Sequence, residues 1–543
     1  MSPITRRRLS VLMIVAFPLL AWITAASLAS GVTVNRWDAR TTWHLLTATA
    51  QFPILYIPPA LGFALSLVGV IALSKMFKRT AGFEGDRFTR HIRGTKVVPI
   101  AKLRSQCTDR VHRQVDVASV PMPVKVENLH TLIGGATGSG KSVVLRRMAN
   151  SVRKRGDRMF VIDPDGDLLS KFWQPGDIIL NPYDARSPGW AFFNEIRAEY
   201  DWKRLSHSMV PMSQDKSAEE WNDYGRLLLR ETAKKLYTVT PEKAHIDELF
   251  RLCTIEDPAK LKSYLEGTLA ESLFVGSSEA SKALSSARFV LSNKLSEHTS
   301  MKSGSFSIRD WIDDPNGGNL FINWREDMVT AMKPLVSSWA DVFITAVLSL
   351  PEDAKRRWWL FIDELASLDA LPSLEDGLTK GRKKGLRGVA GLQSTSQLEY
   401  IYGEKKAQTI RASFRNLLVL GGSRTDHETA EDLSKSLGEH EVERHKYSVS
   451  RSVGDRNTND QNTPVTERVV TAAQIQAFDD LTGYVAFAGK YPISRFKLQF
   501  EPFTQVIEPF IESTQLKRIP RSTQSTADVQ RQPALVLSVG NTS

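Results

Sequence analysis

Apolar and polar residues alternate in four regimes along the chain. Residues 9–35 carry no charged side chain, and residues 9–29 are apolar enough to cross a bilayer, which takes about 20 residues. A second uncharged run covers residues 45–74. Further on, short unbroken apolar runs bounded by glycine or charge read as buried strands: HTLIGG from His130, RMFVID from Arg158, DIIL from Asp177, GGNLFINW from Gly317, WWLFID from Trp358 and GVAGL from Gly388. TGYVAFAGK from Thr482 and ISRFKLQF from Ile493 predict final strands or a hairpin. Between these runs, residues 191–299 keep helical periodicity with little alternation, as in WNDYGRLLLRETAKKL and SEASKALSSARFVLSNKL. Strands separated by helices, interrupted by an all-helical block, predict an α/β fold with an inserted all-α domain. The expected borders are residues 1–79 for a two-helix membrane hairpin, 80–190 and 311–503 for the α/β domain, and 191–310 for the insertion. Residues 451–466, rich in Asn, Thr and Ser, read as a mobile polar loop, and residues 504–543 as a weakly ordered tail.

Charge orients the membrane end. Arg6, Arg7 and Arg8 precede the first run and Lys75, Lys78 and Arg79 follow the second, while the connection carries only Arg36, Asp38 and Arg40. The positive-inside rule makes this a two-pass hairpin with both ends in the cytoplasm. Pro53, Pro58 and Pro59 crowd the second run, so its helix is expected to begin near Pro58. A cleaved signal peptide is the alternative, with an Arg-rich start and the small residues SLAS at 27–30. It leaves the second run unexplained and would export the phosphate-binding motif described next. Between Lys75 and Asp116, eleven Lys or Arg outnumber four Asp or Glu, so that segment can meet acidic lipid or nucleic acid. Across all 543 residues the balance is +11, which points to an anionic partner without naming it. Cys107 and Cys253 lie far apart with no ligand pattern around them, which supports neither a disulfide framework nor a zinc site.

The sharpest motif is GATGSGKS, comprising Gly135, Ala136, Thr137, Gly138, Ser139, Gly140, Lys141 and Ser142. It fits G-x-x-x-x-G-K-[ST] between a strand and a helix. There, backbone N–H groups face phosphate oxygens, Lys141 reaches the outer phosphates and Ser142 offers its hydroxyl to Mg²⁺. A glycine turn without ligand is the plainer alternative, and the flanking strand and amphipathic helix argue against it. Such a loop needs a carboxylate at the end of another buried strand. WWLFIDELASL provides Asp363 for the metal and Glu364 to orient and deprotonate the attacking water. Gln393 falls at the end of the next strand, where it either senses the γ-phosphate or is an ordinary loop residue. His440 and Glu441 with His445 imitate a zinc-protease motif. Five positions rather than four separate the histidines, so they diverge on a helix and the metal reading is rejected. Five cations crowd LTKGRKKGLR from Leu378, which reads as solvated charge, a nucleic-acid grip or part of a catalytic site.

Longer stretches carry a resemblance. NPYDARSPGWAFFNEI, GRLLLRETAKKL, LEGTLAESLF, NGGNLFI, FIDELASL, TKGRKKGLR, GLQSTSQL, LVLGGSRTD and LGEHEVER together resemble conjugative coupling proteins of the TraD and TrwB type, nearest the TrwB branch. The resemblance runs from the membrane hairpin to about residue 503, and is faintest at residues 451–466 and after 504. It implies a RecA-like P-loop ATPase domain and an inner-membrane protein using ATP and Mg²⁺. It implies six subunits around a DNA channel, delivering a relaxase-bound DNA strand to the inner-membrane components of a type IV secretion channel. On that pattern Lys141 and Ser142 serve phosphate and metal, Asp363 and Glu364 metal and water, and Gln393 is the sensor. Arg382 is then the cation offered across the subunit interface, with Lys282 an alternative for the same interface. The remaining cations of the run stay open between solvation and a DNA grip. Rival functions are a membrane-anchored protease, which lacks H-E-x-x-H here, an ABC transporter, which lacks L-S-G-G-Q, and a scaffold that binds nucleotide without hydrolysis.

Overall fold

An unbroken apolar run has no solvent face, so it can serve only as a strand covered on both sides. Every residue of the strands Leu320–Trp324, Trp358–Ile362 and Leu386–Leu392 is buried. The computed structural model describes residues 3–76, 88–275, 278–452 and 455–513. The chain forms two compact units, one of residues 1–148, 391–397 and 414–500 and the other of residues 149–390, 398–413 and 501–543.

In the first unit, Thr131–Gly134 runs parallel to Asn416–Leu420, with Leu132 opposite Leu417. Thr482–Ala486 and then Ser494–Lys497 add antiparallel, which makes the sheet mixed. The N-terminal helix Pro3–Ser30 packs along Ile57–Met76. Its Trp22 indole donates to Thr49 Oγ1 at 2.9 Å, on the connecting helix Ala39–Gln51. By length and composition Leu9–Ser30 can cross a membrane, whereas the apolar part of the second helix, Ile57–Ala72, is shorter. Lys78 and Arg79, which close the expected hairpin, lie outside the described residues.

Residues 451–466 differ from expectation. Glu439–Ser452 and Asp455–Arg468 pair antiparallel as a long hairpin, and Arg90–Gly94 adds at its other side. Asn and Asp obscure a spacing of β-branched residues, Val442 opposite Val465 and Glu441 opposite Thr466, that suits pairing. His440 and Glu441 are therefore neighbours on a strand, facing opposite sides. The His440 ring is buried, its Nε2 3.2 Å from Glu467 Oε1, and that carboxylate also accepts from Arg444 at 2.7 and 2.9 Å.

The second unit holds parallel strands in the order Leu386–Leu392, Trp358–Ile362, Arg158–Pro164, Leu320–Trp324, Ile178–Ile179. From Glu199–Met209 through Lys216–Val239 and Ser278–Leu295 to Ile308–Asp313 the elements are helical. The unit borders do not follow the expected 80–190, 191–310 and 311–503, because the helical block clusters with the parallel strands. Within the block Asp201, fully buried on Glu199–Met209, accepts from Arg309 at 3.0 and 3.2 Å, and the block is attached where Ser208 of that helix donates to Asp341 on Val329–Ser349. Val329–Ser349 is apolar and long enough to span a bilayer, yet its Leu335, Val336, Trp339 and Phe343 are buried within this unit. It is a core helix, and Phe343 stacks on Phe160 with centroids 4.5 Å apart.

Residues 504–513 also differ from the expected loose tail. Val506 N–H donates to Ser170 O at 2.8 Å, Ser513 N–H to Tyr183 O at 2.8 Å, and the Asn323 amide to Pro509 O at 2.6 Å. This segment buries too little apolar surface to advertise itself, and it is held through backbone groups that any sequence presents. Residues 514–543 of the expected tail lie outside the described residues. Phe343→Ala, which removes the stacked core ring, is expected to cost roughly 3–5 kcal/mol, read as a lower denaturant midpoint at unchanged slope.

Candidate nucleotide-binding site

The loop of residues 135–142 turns sharply because two glycines take positive φ, Gly138 at +80° and Gly140 at +115°. A Cβ at Gly140 would meet a Leu481 side-chain carbon at 2.8 Å, so neither the backbone angle nor the space admits a side chain. The loop is pinned at its rim. Gly135 N–H donates to Leu392 O at 3.1 Å, Ala136 N–H to Gly421 O at 2.8 Å, and Leu481 N–H to Ser139 O at 3.0 Å. Lys141 opens the helix Lys141–Arg155 and is buried, its ammonium donating to Gly135 O at 2.8 Å and Ala136 O at 3.2 Å. An ammonium resting on its own loop's carbonyls is ready to exchange them for phosphate oxygens. Ser142 follows in the first helical turn, half-buried. A left-handed glycine turn leading into a helix start, one ammonium and one hydroxyl together suit phosphate and a hard cation.

Gln393 follows directly on Leu386–Leu392, and its Oε1 accepts the Thr137 hydroxyl at 2.8 Å. The two residues, far apart in sequence, meet at the apex of the loop.

In the second unit, Asp363 follows Trp358–Ile362, its N–H donating to Ile162 O at 3.3 Å. Glu364 caps the short turn Leu365–Ser367, with Oε1 accepting from Ala366 N–H at 3.4 Å and its carbonyl accepting from the Ser367 hydroxyl at 2.7 Å. Sequence reasoning missed Asp163 at the end of the neighbouring strand, although MFVIDP repeats the form of LFIDEL. Asp163 is fully buried and accepts from Leu169 N–H at 2.7 Å. Burial, with like charge from Asp167 and Asp363, pushes its carboxyl up to about 8.

LTKGRKKGLR proves to be several things. Lys380 pairs with Asp376 at 2.8 Å and Lys383 with Glu352 at 3.7 Å, both exposed. Arg387 is buried, donating to the carbonyls of Arg356 and Gly385 at 2.8 Å each, so it is neither solvated charge nor a surface grip. Arg382 sits half-buried on the turn Gly381–Lys384, and its guanidinium makes no ion pair among the described residues. The turn closes on Gly385 at φ +96°, where a Cβ would stand 2.6 Å from Arg356 O. Lys282 is exposed on Ser278–Leu295.

Comparison with known proteins decides the family. Residues 114–499 match the family described as type IV secretion-system coupling protein DNA-binding domain. The chain belongs to the type IV secretion coupling proteins. Coupling protein TraD of Escherichia coli (strain K12) is 31% identical over 418 residues, which cover 73% of this chain. They cover 56% of TraD, so the chain spans little more than half of that relative. Among solved structures, the unbound conjugative coupling protein TrwBdeltaN70 is 57% identical with TM-score 0.75, covering 80% of this chain and 98% of its own. TrwB in complex with ADP and Mg²⁺ matches at 57% identity and TM-score 0.74, covering 79% of this chain and all of its own. TrwB is also known with a non-hydrolysable ATP analogue, at the same identity and TM-score.

Within this coupling protein, Gly385 sets both the turn that carries Arg382 and the start of Trp358–Ile362, whose first N–H donates to Gly385 O at 2.9 Å. Gly385→Ala is expected to destabilise the fold by about 1–3 kcal/mol, measured as a shift of the urea midpoint.

Proposed function

We propose that this chain is a membrane-anchored, DNA-dependent ATPase that couples a relaxase-bound DNA strand to a type IV secretion channel and drives it through. The observation that carries the reading is the phosphate loop, with Lys141 on its own carbonyls and Gln393 on Thr137. Family membership and the nucleotide-bound TrwB structures support it. A nucleotide-binding scaffold has no use for a glutamine at the loop's apex. The anchor in this reading is a two-pass hairpin of Pro3–Ser30 and Ile57–Met76, both ends cytoplasmic, supported by the charge asymmetry and the packing of the two helices.

In the proposed mechanism the backbone N–H groups of residues 135–142 cradle the phosphates of ATP, and the Lys141 ammonium moves from Gly135 O to the outer phosphates. Ser142 and Asp363 hold Mg²⁺, which neutralises phosphate charge when bound. Glu364 takes the proton of the attacking water, and Gln393 registers the γ-phosphate through its tie to Thr137. Arg382 acts on the nucleotide of a neighbouring subunit in a ring of six, which suits a guanidinium that makes no ion pair among the described residues. Lys282 is the second candidate for that interface. DNA is held by its phosphates, without reading bases, in keeping with the +11 balance.

Gly140→Ala is expected to weaken binding of a fluorescent ATP analogue at least about tenfold, because the loop cannot keep its left-handed turn. Arg382→Ala is expected to lower the ATPase kcat about a thousandfold while analogue affinity and ring size stay the same. Full turnover by an assembled Arg382→Ala ring refutes the finger, and plasmid transfer by Lys141→Ala refutes the motor.

A further inference from the structure

Asp341 lies in the middle of the core helix Val329–Ser349, 1% exposed, with no Lys or Arg paired to it among the described residues. A carboxyl in such a place is costly, and an apolar side chain would pack there more cheaply. Its two oxygens serve different elements. Oδ2 accepts the hydroxyl of Ser208, the penultimate residue of the helix Glu199–Met209, from which the chain runs on into the helical block. Oδ1 accepts both the N–H of Ser373, at 2.9 Å, and its hydroxyl, on the segment that follows Glu364.

Two further devices repeat this division. Tyr402, also buried, accepts Leu371 N–H on its hydroxyl at 3.1 Å and Gln214 Nε2 on its carbonyl at 3.0 Å. On the core helix, Ser337 Oγ accepts Asp369 N–H at 2.8 Å, while the adjacent Ser338 Oγ donates to Ser208 O at 3.3 Å. Each device thus grips residues 369–373 with one group and residues 208–214 with another. Residues 369–373 are in turn tied to Glu364 by a short stretch in which Leu365, Leu368, Leu371 and Leu374 are all buried at every third position. Ser208, Asp341 and Ser373 are all buried, so a displacement at Ser208 is passed through packed groups to the segment that follows Glu364.

We propose that Asp341, seconded by Tyr402, is a positioning residue that ties the helical block to the segment carrying Glu364, so that the response of hydrolysis to DNA depends on that tie. This rests on the DNA-dependent ATPase reading above. The network is the kind of two-sided element through which sites exchange coupling, commonly 5–150-fold in an equilibrium.

The test uses the full-length protein with an oligo-dT single strand as probe, measuring kcat and KM for ATP with and without DNA. Ser208→Ala is expected to keep the DNA-free kcat within about twofold and the KM unchanged, while stimulation by DNA falls about tenfold; Ser373→Ala, which retains the N–H bond to Asp341, is expected to lose less. The double variant is expected to lose no more than Ser208→Ala alone, since both act on one line. Ser208→Thr, which keeps the hydroxyl, is expected to restore stimulation. Amide exchange at residues 369–373 should quicken in Ser208→Ala, although the change is on another element. Full stimulation of Ser208→Ala, an equal fall of DNA-free and stimulated rates, or unaltered exchange overturns the inference alone. A wild type that hydrolyses ATP without response to DNA overturns the functional reading and this inference with it.

Discussion

A parallel strand covered on both faces admits a polar side chain only where that group finds a buried partner, as Arg387 does, and this one constraint decides where most polar groups gather in the protein. Polar groups are driven to the carboxyl ends, where the chain leaves the sheet. Thr131–Gly134 ends in the phosphate loop, Trp358–Ile362 in Asp363 and Glu364, and Leu386–Leu392 in Gln393. The functional residues are scattered over the sequence and alike in topology. Ligand crevices of open α/β sheets arise at strand ends for the same reason.

That constraint also explains what was legible in the sequence. A run such as WWLFI followed by Asp-Glu marks both the strand and its exit, so the position of Asp363, Glu364 and Gln393 at strand ends is legible in the sequence. The loop was legible for a different reason, since its glycines are required by backbone angles that few other residues adopt. The hairpin of residues 439–468 was not legible. Its Asn, Asp and Ser residues break any apolar alternation, and pairing through backbone groups leaves little trace in side-chain pattern. Residues 504–513 escaped for the same reason, being held by the carbonyls of Ser170 and Tyr183 and by the amide of Asn323. The role of Asp163 could have been read from its likeness to Asp363. That of Asp341 could not, because an aspartate within a helical pattern ordinarily marks its solvent face.

The charge run from Leu378 shows how structure divides what composition lumps together. Neighbouring carboxylates account for Lys380 and Lys383, and two carbonyls account for Arg387. Such exposed pairs add little stability, but they lower the charge available to a distant anion. Arg382 keeps its charge unspent, on a turn whose position is set by Gly385 against the Arg356 carbonyl. Pre-organisation of a cation matters most where charge develops only in the transition state, since no reorganisation is then needed when it arrives.

Asp163, Glu195 and Asp341 are buried carboxyls with no Lys or Arg ion pair among the described residues, and burial raises the pKa of each. Each costs stability that an apolar residue would not, and Asp163 and Asp341 stand one link from the proposed chemistry. Asp163 neighbours Asp363 across paired strands, and Asp341 grips the segment that continues from Glu364. Core stability alone explains neither. A carboxyl can accept from two directions at once, which no apolar side chain can do, and Asp341 uses that capacity to join two elements. The stability that Asp163 and Asp341 cost is offset by the apolar strands behind them, and Asp341 in return holds two elements in a fixed relation.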